Sequence, residues 1–136
     1  EEKTNYEKML AGEEYCPDQE LADLAYACSE GLLKINAPPA RSPERPEFLR
    51  QFFGSIGDHV TIKGNFNCDY GRHIFIGSGT IINCNVTILD TNRGEIGENV
   101  FIAPGVVISA ATPPLDAPRR VSRPFQSAVV WDWPGE

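Results

Sequence analysis

The sequence from Ile56 to Pro113 is IGDHVTIKGNFNCDYGRHIFIGSGTIINCNVTILDTNRGEIGENVFIAPGVVISAATP. Within it, an aliphatic residue or once a cysteine returns at every sixth position, apart from two longer steps. The members of this series are Ile56, Ile62, Cys68, Ile76, Ile82, Ile88, Ile96, Ile102 and Ile108. A second series follows four positions later and consists of Val60, Phe66, Thr80, Val86, Val100, Val106 and Thr112. This period is too long for one strand and wrong for a helix.

The repeat predicts a parallel β-solenoid of about three coils, in which each six-residue unit forms one flat face and three faces close a coil. The residue that opens each unit points inward and stacks on its equivalent in the next coil. Corners need a tight turn or a positive φ. The residues expected there are Gly57, Gly77, Gly97, Gly105, Asp58, Asn65 and Asn99. The long step from Ile88 to Ile96 predicts a small corner loop.

Composition limits the classes of function. The chain has 136 residues and a formal charge of −7, which argues against a nucleic-acid surface because phosphate binding depends on clustered Lys and Arg. Its four cysteines form no C-x-x-C pair and have no partnering His spacing, which argues against zinc. Reduced thiols, no signal segment and no apolar run near 18 residues predict a cytoplasmic protein that does not enter a membrane.

Three helices are predicted before the repeats. The first covers Glu2 to Ala11 and ends at Gly12, and the second begins after Pro17 and Asp18. The apolar stripe of the second helix consists of Leu21, Leu24, Ala25, Cys28 and Leu32. A proline-rich loop follows, and a third helix from Glu47 to Phe53 covers the first coil. We therefore expect a helical cap over residues 1–54, a β-helix over 55–116 and an irregular tail over 117–136.

Four collinear motifs resemble one enzyme family. They are Tyr6–Gly12 (YEKMLAG), Phe66–Gly71 (FNCDYG), Asn83–Asp90 (NCNVTILD) and Ala111–Asp116 (ATPPLD). The chain resembles the maltose and galactoside O-acetyltransferase branch of the hexapeptide-repeat acyltransferases, in a truncated form. The resemblance implies a mainly β fold, a left-handed parallel β-helix with an N-terminal α-helical cap. It also implies a trimer, acetyl-CoA as the donor, and a sugar or small hydroxyl compound as the acceptor.

The same resemblance assigns the site. The family's catalytic histidine falls at Pro113, which leaves no catalytic residue and predicts a weakened or inactive enzyme. Substrate-binding positions carry over to Asp69 and Asn83, and more loosely to Asp18 and Trp131. Coils that grip the donor in the family are expected to be missing here.

Simpler interpretations stand beside these assignments. Asn83 and Asn85 can shape a solenoid corner, and Asp18 suits a helix N-cap. His59 and His73 are expected to be exposed turn residues.

Two alternatives to an enzyme follow from Pro113. One is a non-catalytic interaction module, an inactive subunit that joins a full-length relative through the solenoid faces. The other is a truncated or frame-shifted product, since the repeat pattern disappears after Arg120.

Overall fold

The computed structural model describes residues 2–37 and 43–112, together with the backbone of two later strands, 127–128 and 131–133. Three helices come first: α1 Asn5–Leu10, α2 Gln19–Asn36 and α3 Arg45–Phe52. The strands are β1 Ser55–Ile56, β2 Thr61–Ile62, β3 Asn67–Cys68, β4 Ile74–Ile76, β5 Ile81–Ile82, β6 Thr87–Leu89, β7 Gly94–Ile96, β8 Phe101–Ile102, β9 Val107–Ser109, β10 Ala111–Thr112, β11 Ser127–Ala128 and β12 Trp131–Trp133.

Three parallel sheets form the faces of a β-helix. Their strand orders are β1-β4-β7-β12, β2-β5-β8 and β3-β6-β9. Ile56 pairs with Ile76 and Ile76 with Ile96, so each coil takes 20 residues. The two long steps of the repeat both fall at the corner between the third face and the first. The predicted parallel solenoid is confirmed, and its extra residues collect at one edge.

The inward series builds the core. Ile82 and Ile88 are fully buried, and Ile62, Ile76, Ile96 and Ile102 are nearly so. Parallel pairing places Ile82 on Ile102 and Cys68 on Ile88, as the six-residue period predicted. Because burying an aliphatic side chain contributes about 1.5–3 kcal/mol, these stacked residues are the main source of stability along the axis.

Two corners hold a left-handed backbone in every coil. At one corner His59, Gly79 and Asn99 have φ of 57°, 76° and 55°, and at the next Asn65, Asn85 and Gly105 have φ of 63°, 59° and 79°. Glycine and asparagine adopt this conformation more readily than other residues. The predicted corner positions of Asn65, Asn99 and Gly105 are therefore confirmed.

The cap covers the open end of the first coil. Phe66 has no preceding coil to pair with, and the Asn36 side chain replaces one: its Nδ2 donates to Phe66 O and its Oδ1 accepts from Phe66 N, both at 2.9 Å. Arg45 donates to the backbone oxygens of Ile35 and Ile62. Leu49 of α3 is buried against the same core. The predicted docking of the helices on the repeats is confirmed.

Helix boundaries follow their capping residues. α1 begins later than predicted because Thr4 and Glu7 form a capping box, in which the Thr4 hydroxyl accepts from Glu7 N and Glu7 accepts from Thr4 N. In α2, Leu21 and Cys28 are buried as predicted. Ala25, at the edge of the same stripe, is exposed instead.

Strands β11 and β12 lie within the segment that the sequence predicted to be irregular. β12 pairs in parallel with β7, with Trp131 opposite Gly94 and Trp133 opposite Ile96. β11 pairs antiparallel with β10. Pairing along the edge of a sheet uses backbone groups alone, so a strand can form there without the six-residue pattern.

Candidate functional site

The long corner of the first two coils brings polar side chains together beneath the cap. We call Tyr6, Tyr70, His73 and Asp90 the corner cluster. Tyr6 comes from α1, Tyr70 and His73 from the corner after β3, and Asp90 from the corner after β6. The two extra residues in each coil give this corner the room to receive α1. In addition, Asn92 Nδ2 donates to Met9 O at 3.1 Å and joins the next coil to the helix.

The Asp90 side chain fixes the backbone of this corner. Its Oδ1 accepts hydrogen bonds from the backbone N–H groups of Asp69 and Tyr70, both at 2.9 Å. The side chain is fully buried, and burial raises its pKa to about 7. Among the described residues, Asp90 Oδ2 and the hydroxyl of Thr91 have no hydrogen-bond partner. Asp90 therefore fixes the backbone of Asp69 and Tyr70 through one oxygen, while its second oxygen is buried without a hydrogen-bond partner.

His73 is buried, which makes the prediction of an exposed turn residue wrong. Its Nδ1 lies 2.7 Å from the backbone oxygen of Asp90, and its Nε2 lies 2.9 Å from the Tyr6 hydroxyl. A carbonyl oxygen only accepts, so Nδ1 carries the proton and the Tyr6 hydroxyl donates to Nε2. Burial lowers the pKa of His73 and favours this neutral form. His73 joins the cap to two coils, whereas His59 is exposed as predicted.

Asp69 lies at the edge of this cluster, half-buried, and burial raises the pKa of its carboxyl group. Its neighbour Tyr15 is buried, and burial together with the negative charge of Asp69 raises the pKa of Tyr15 to about 12. A carboxylate held by its backbone, with its side chain partly open, can accept hydrogen bonds from a hydroxyl compound. The geometry suits the predicted role of Asp69, which stays a prediction.

Asn83 lies on a different corner. It follows β5 and precedes β6, whereas Asp69 follows β3, so the two residues lie at opposite ends of the β3-β6-β9 sheet. The structure does not bring them together within one chain. Asn83 Oδ1 accepts from Cys84 N at 2.8 Å, and Asn85 has a positive φ. Both asparagines shape this corner, and binding by Asn83 stays a prediction.

Asp18 is the N-cap of α2. One of its carboxylate oxygens accepts from Leu21 N at 3.1 Å and the other from Asn5 Nδ2 at 3.1 Å. These hydrogen bonds lower the pKa of Asp18. The simpler interpretation of Asp18 is confirmed, although its substrate role is not tested.

Two assigned positions lie outside the described side chains. Pro113 is outside the described residues, and for Trp131 only the backbone is described, opposite Gly94 of β7. Within the part of the chain that the structure describes, no group of three or more His, Cys, Asp or Glu is placed to hold a metal ion. The described helices also include none that is long and apolar enough to cross a membrane.

Sequence reasoning missed Asp90 as a positioning residue and misplaced His73. The available signal was the pair of eight-residue steps, since both end in the same face and both contain polar residues with no place in the repeat. An extended corner that recurs in successive coils indicates a regular part of the fold.

Comparison with known proteins identifies the family. A family model described as the maltose acetyltransferase hexapeptide capping motif matches residues 8–57. The crystal structure of a maltose O-acetyltransferase from Clostridium difficile 630 matches with a TM-score of 0.88 and 33% identity, over 95% of this chain and 73% of that one. This chain belongs to the maltose acetyltransferase branch of the hexapeptide-repeat acetyltransferases. The left-handed β-helix predicted for this branch is thereby confirmed.

Two further proteins are similar to this chain. A hexapeptide-repeat acetyltransferase from Vibrio cholerae, solved with acetyl coenzyme A, has a TM-score of 0.82 and 30% identity over 95% of this chain and 74% of that one. Nodulation protein L of Rhizobium meliloti is 39% identical over 90 residues, which are 65% of this chain and 49% of that protein. The chain spans about half the length of the curated relatives it matches first.

Proposed function

We propose that this chain is an acetyl-CoA-dependent O-acetyltransferase subunit that acts on a sugar or another small hydroxyl compound, with transfer weakened by Pro113. The observation that carries the class is the match to a maltose O-acetyltransferase at 33% identity over 73% of that enzyme. The Vibrio cholerae relative was solved with acetyl coenzyme A, which supports the same donor here.

The chemistry explains why Pro113 matters. The acceptor oxygen attacks the thioester carbonyl carbon, a base takes the hydroxyl proton, and the sulfur leaves as the thiol of coenzyme A. A hydrogen-bond donor must also stabilise the oxyanion that forms. Proline has no titratable group, so it cannot supply the base at position 113. Loss of a general base costs about 10²–10⁴ in rate.

On this proposal, Asp69 binds the acceptor and Asn83 contributes from a neighbouring subunit. Their separation on opposite ends of one sheet supports a site shared between chains, in a homotrimer or a mixed oligomer with a full-length relative. The four cysteines are free thiols, which supports a cytoplasmic location.

A second candidate function is a non-catalytic partner subunit, which Pro113 specifically favours. Such a subunit keeps the cap, the coils and the corner that holds Asp69, but it supplies no base. It would gain activity only when mixed with a relative that carries the histidine.

The test is release of coenzyme A thiol from acetyl-CoA with maltose as acceptor. We expect the rate of this chain to lie about 10²–10⁴ below that of the Clostridium difficile relative under the same conditions. A variant of that relative with proline at its matching histidine is the control and should fall by a similar factor. A rate within tenfold of the unmodified relative would contradict the weakening. Activity that appears only on mixing would favour the partner subunit.

A further inference from the structure

Two thiols meet at the junction between the cap and the β-helix. Cys28 lies on the buried face of α2, Cys68 lies in β3, and their Sγ atoms are 3.5 Å apart. Cys28 Sγ also lies 3.6 Å from the backbone oxygen of Cys68. A disulfide needs an S–S distance of about 2.05 Å, so the sulfurs must approach by only about 1.5 Å. The fold therefore preassembles a cysteine pair whose members are 40 positions apart in the sequence.

The other two cysteines are placed differently. All four cysteines lie within the described residues and are free thiols. Cys16 Sγ faces the backbone oxygen of Pro17 at 3.8 Å, and Cys84 lies in the corner between β5 and β6. Across the described residues, no second pair of sulfur atoms is in contact. Cys16 and Cys84 are thus internal controls for any reaction at the pair.

A cleft leads to Cys28. It has a volume of about 540 Å³ and lies between α2, α3 and the corner after β3. Its walls include Cys28, the rings of Phe52 and Tyr70, and the cationic side chain of Arg72. A small disulfide that carries carboxylates matches this combination of room and positive charge.

We propose that Cys28 and Cys68 are a redox modification site, at which a small anionic disulfide such as oxidised glutathione converts the two thiols into a disulfide joining α2 to β3. The Cys28 thiolate attacks one sulfur of the oxidant and releases the first small thiol. Cys68, after giving its proton to solvent, attacks Cys28 Sγ and releases the second. Two cysteine thiols lose two electrons, and one small disulfide is reduced to two thiols.

The second step sets the pH dependence. The hydrogen bond with Cys28 and burial raise the pKa of the Cys68 thiol, and the nearby carboxylates of Asp90 and Asp69 act in the same direction. Thiolate at Cys68 is therefore scarce at pH 7. The mixed disulfide on Cys28 should accumulate first at pH 7, and the internal disulfide should close faster at pH 9.

The disulfide would hold the cap on the first coil. It closes a loop of about 40 residues in the unfolded chain, and cross-links of this kind raise the free energy of unfolding. We expect the unfolding midpoint to rise by about 5–15 °C. Under reducing conditions the pair remains as thiols and the link is absent.

The experiment uses the full chain with Cys16→Ser and Cys84→Ser combined, which leaves the proposed pair untouched. The protein is incubated with mixtures of oxidised and reduced glutathione at pH 7 and pH 9, blocked with an alkylating reagent and analysed by intact mass and non-reducing peptide mapping. We expect a species that lacks two hydrogens, a linked peptide containing Cys28 and Cys68, and a raised unfolding midpoint. Neither the Cys28→Ser variant nor the Cys68→Ser variant should form the linked peptide.

Three results would overturn the proposal. One is a folded protein with Cys16→Ser and Cys84→Ser that never loses two hydrogens, even when all the glutathione is oxidised. Another is a stable glutathione adduct that does not close at pH 9. The third is a linked species of twice the chain mass, which would show that the cysteines react between molecules.

Discussion

Asp90 shows how one buried side chain can set a corner and carry a pH dependence. Its Oδ1 holds two backbone N–H groups, and burial raises its pKa from an ordinary value near 3.8 to about 7. In the unfolded chain the carboxyl group ionises at its ordinary pKa. Between about pH 4 and pH 7 the folded state therefore binds more protons, and the contribution of Asp90 to stability falls as pH rises.

The Asp90→Asn variant should remove this dependence. Asparagine keeps Oδ1 as the acceptor and never ionises, so the free energy of unfolding of the variant relative to the native chain should increase by about 2–4 kcal/mol from pH 4.5 to pH 8. Urea unfolding at both pH values measures the difference. Asp90→Ala is the control, because it loses the acceptor and should destabilise the protein at both. An Asn variant whose relative stability does not change with pH would contradict the buried acid.

Whether a glycine can be replaced by a larger residue depends on how closely two neighbouring coils stack at its position. A Cβ added to Gly77 would lie 2.5 Å from the backbone carbon of Gly97, and this neighbour is main chain that cannot rotate away. A Cβ added to Gly64 would meet nothing within 4 Å. Of these two glycines, only Gly77 lies against the main chain of the next coil.

We expect Gly77→Ala to lower the free energy of unfolding by about 1–3 kcal/mol or more, because the coils must move apart. The matched Gly64→Ala variant should change it by less than about 0.5 kcal/mol. Thermal or denaturant unfolding of both variants measures the contrast. Equal stabilities would mean that the coils do not stack as closely as the register of β4 on β7 requires.

The elements were predictable where a local rule determines them. The six-residue period gave the inward positions and the parallel pairing, and Asp18 and Gly12 marked a helix start and a helix end. His73 was not predictable in this way, because its burial depends on Tyr6, which is 67 positions away. β12 could not be predicted from the six-residue period, because its pairing with β7 uses backbone groups rather than a sequence pattern.

The candidate site residues were assigned only through resemblance, and their roles stay predictions. Motifs placed Asp69 and Asn83 in one binding site, but the structure places them at opposite ends of one sheet. A short sequence motif shows which residues lie at each corner. It does not show which corners come together when chains assemble. For the whole molecule, the cap covers one end of the coils and the Cys28–Cys68 contact lies at that junction.

The proposed function requires that this chain still binds the acetyl donor of its family. Calorimetric titration of acetyl-CoA into the purified full chain tests it most directly, since binding does not require a catalytic base. We predict saturable binding with a dissociation constant in the micromolar range, about one donor per chain, in a species larger than a monomer by gel filtration. The absence of binding heat and of thermal protection at millimolar acetyl-CoA would contradict it.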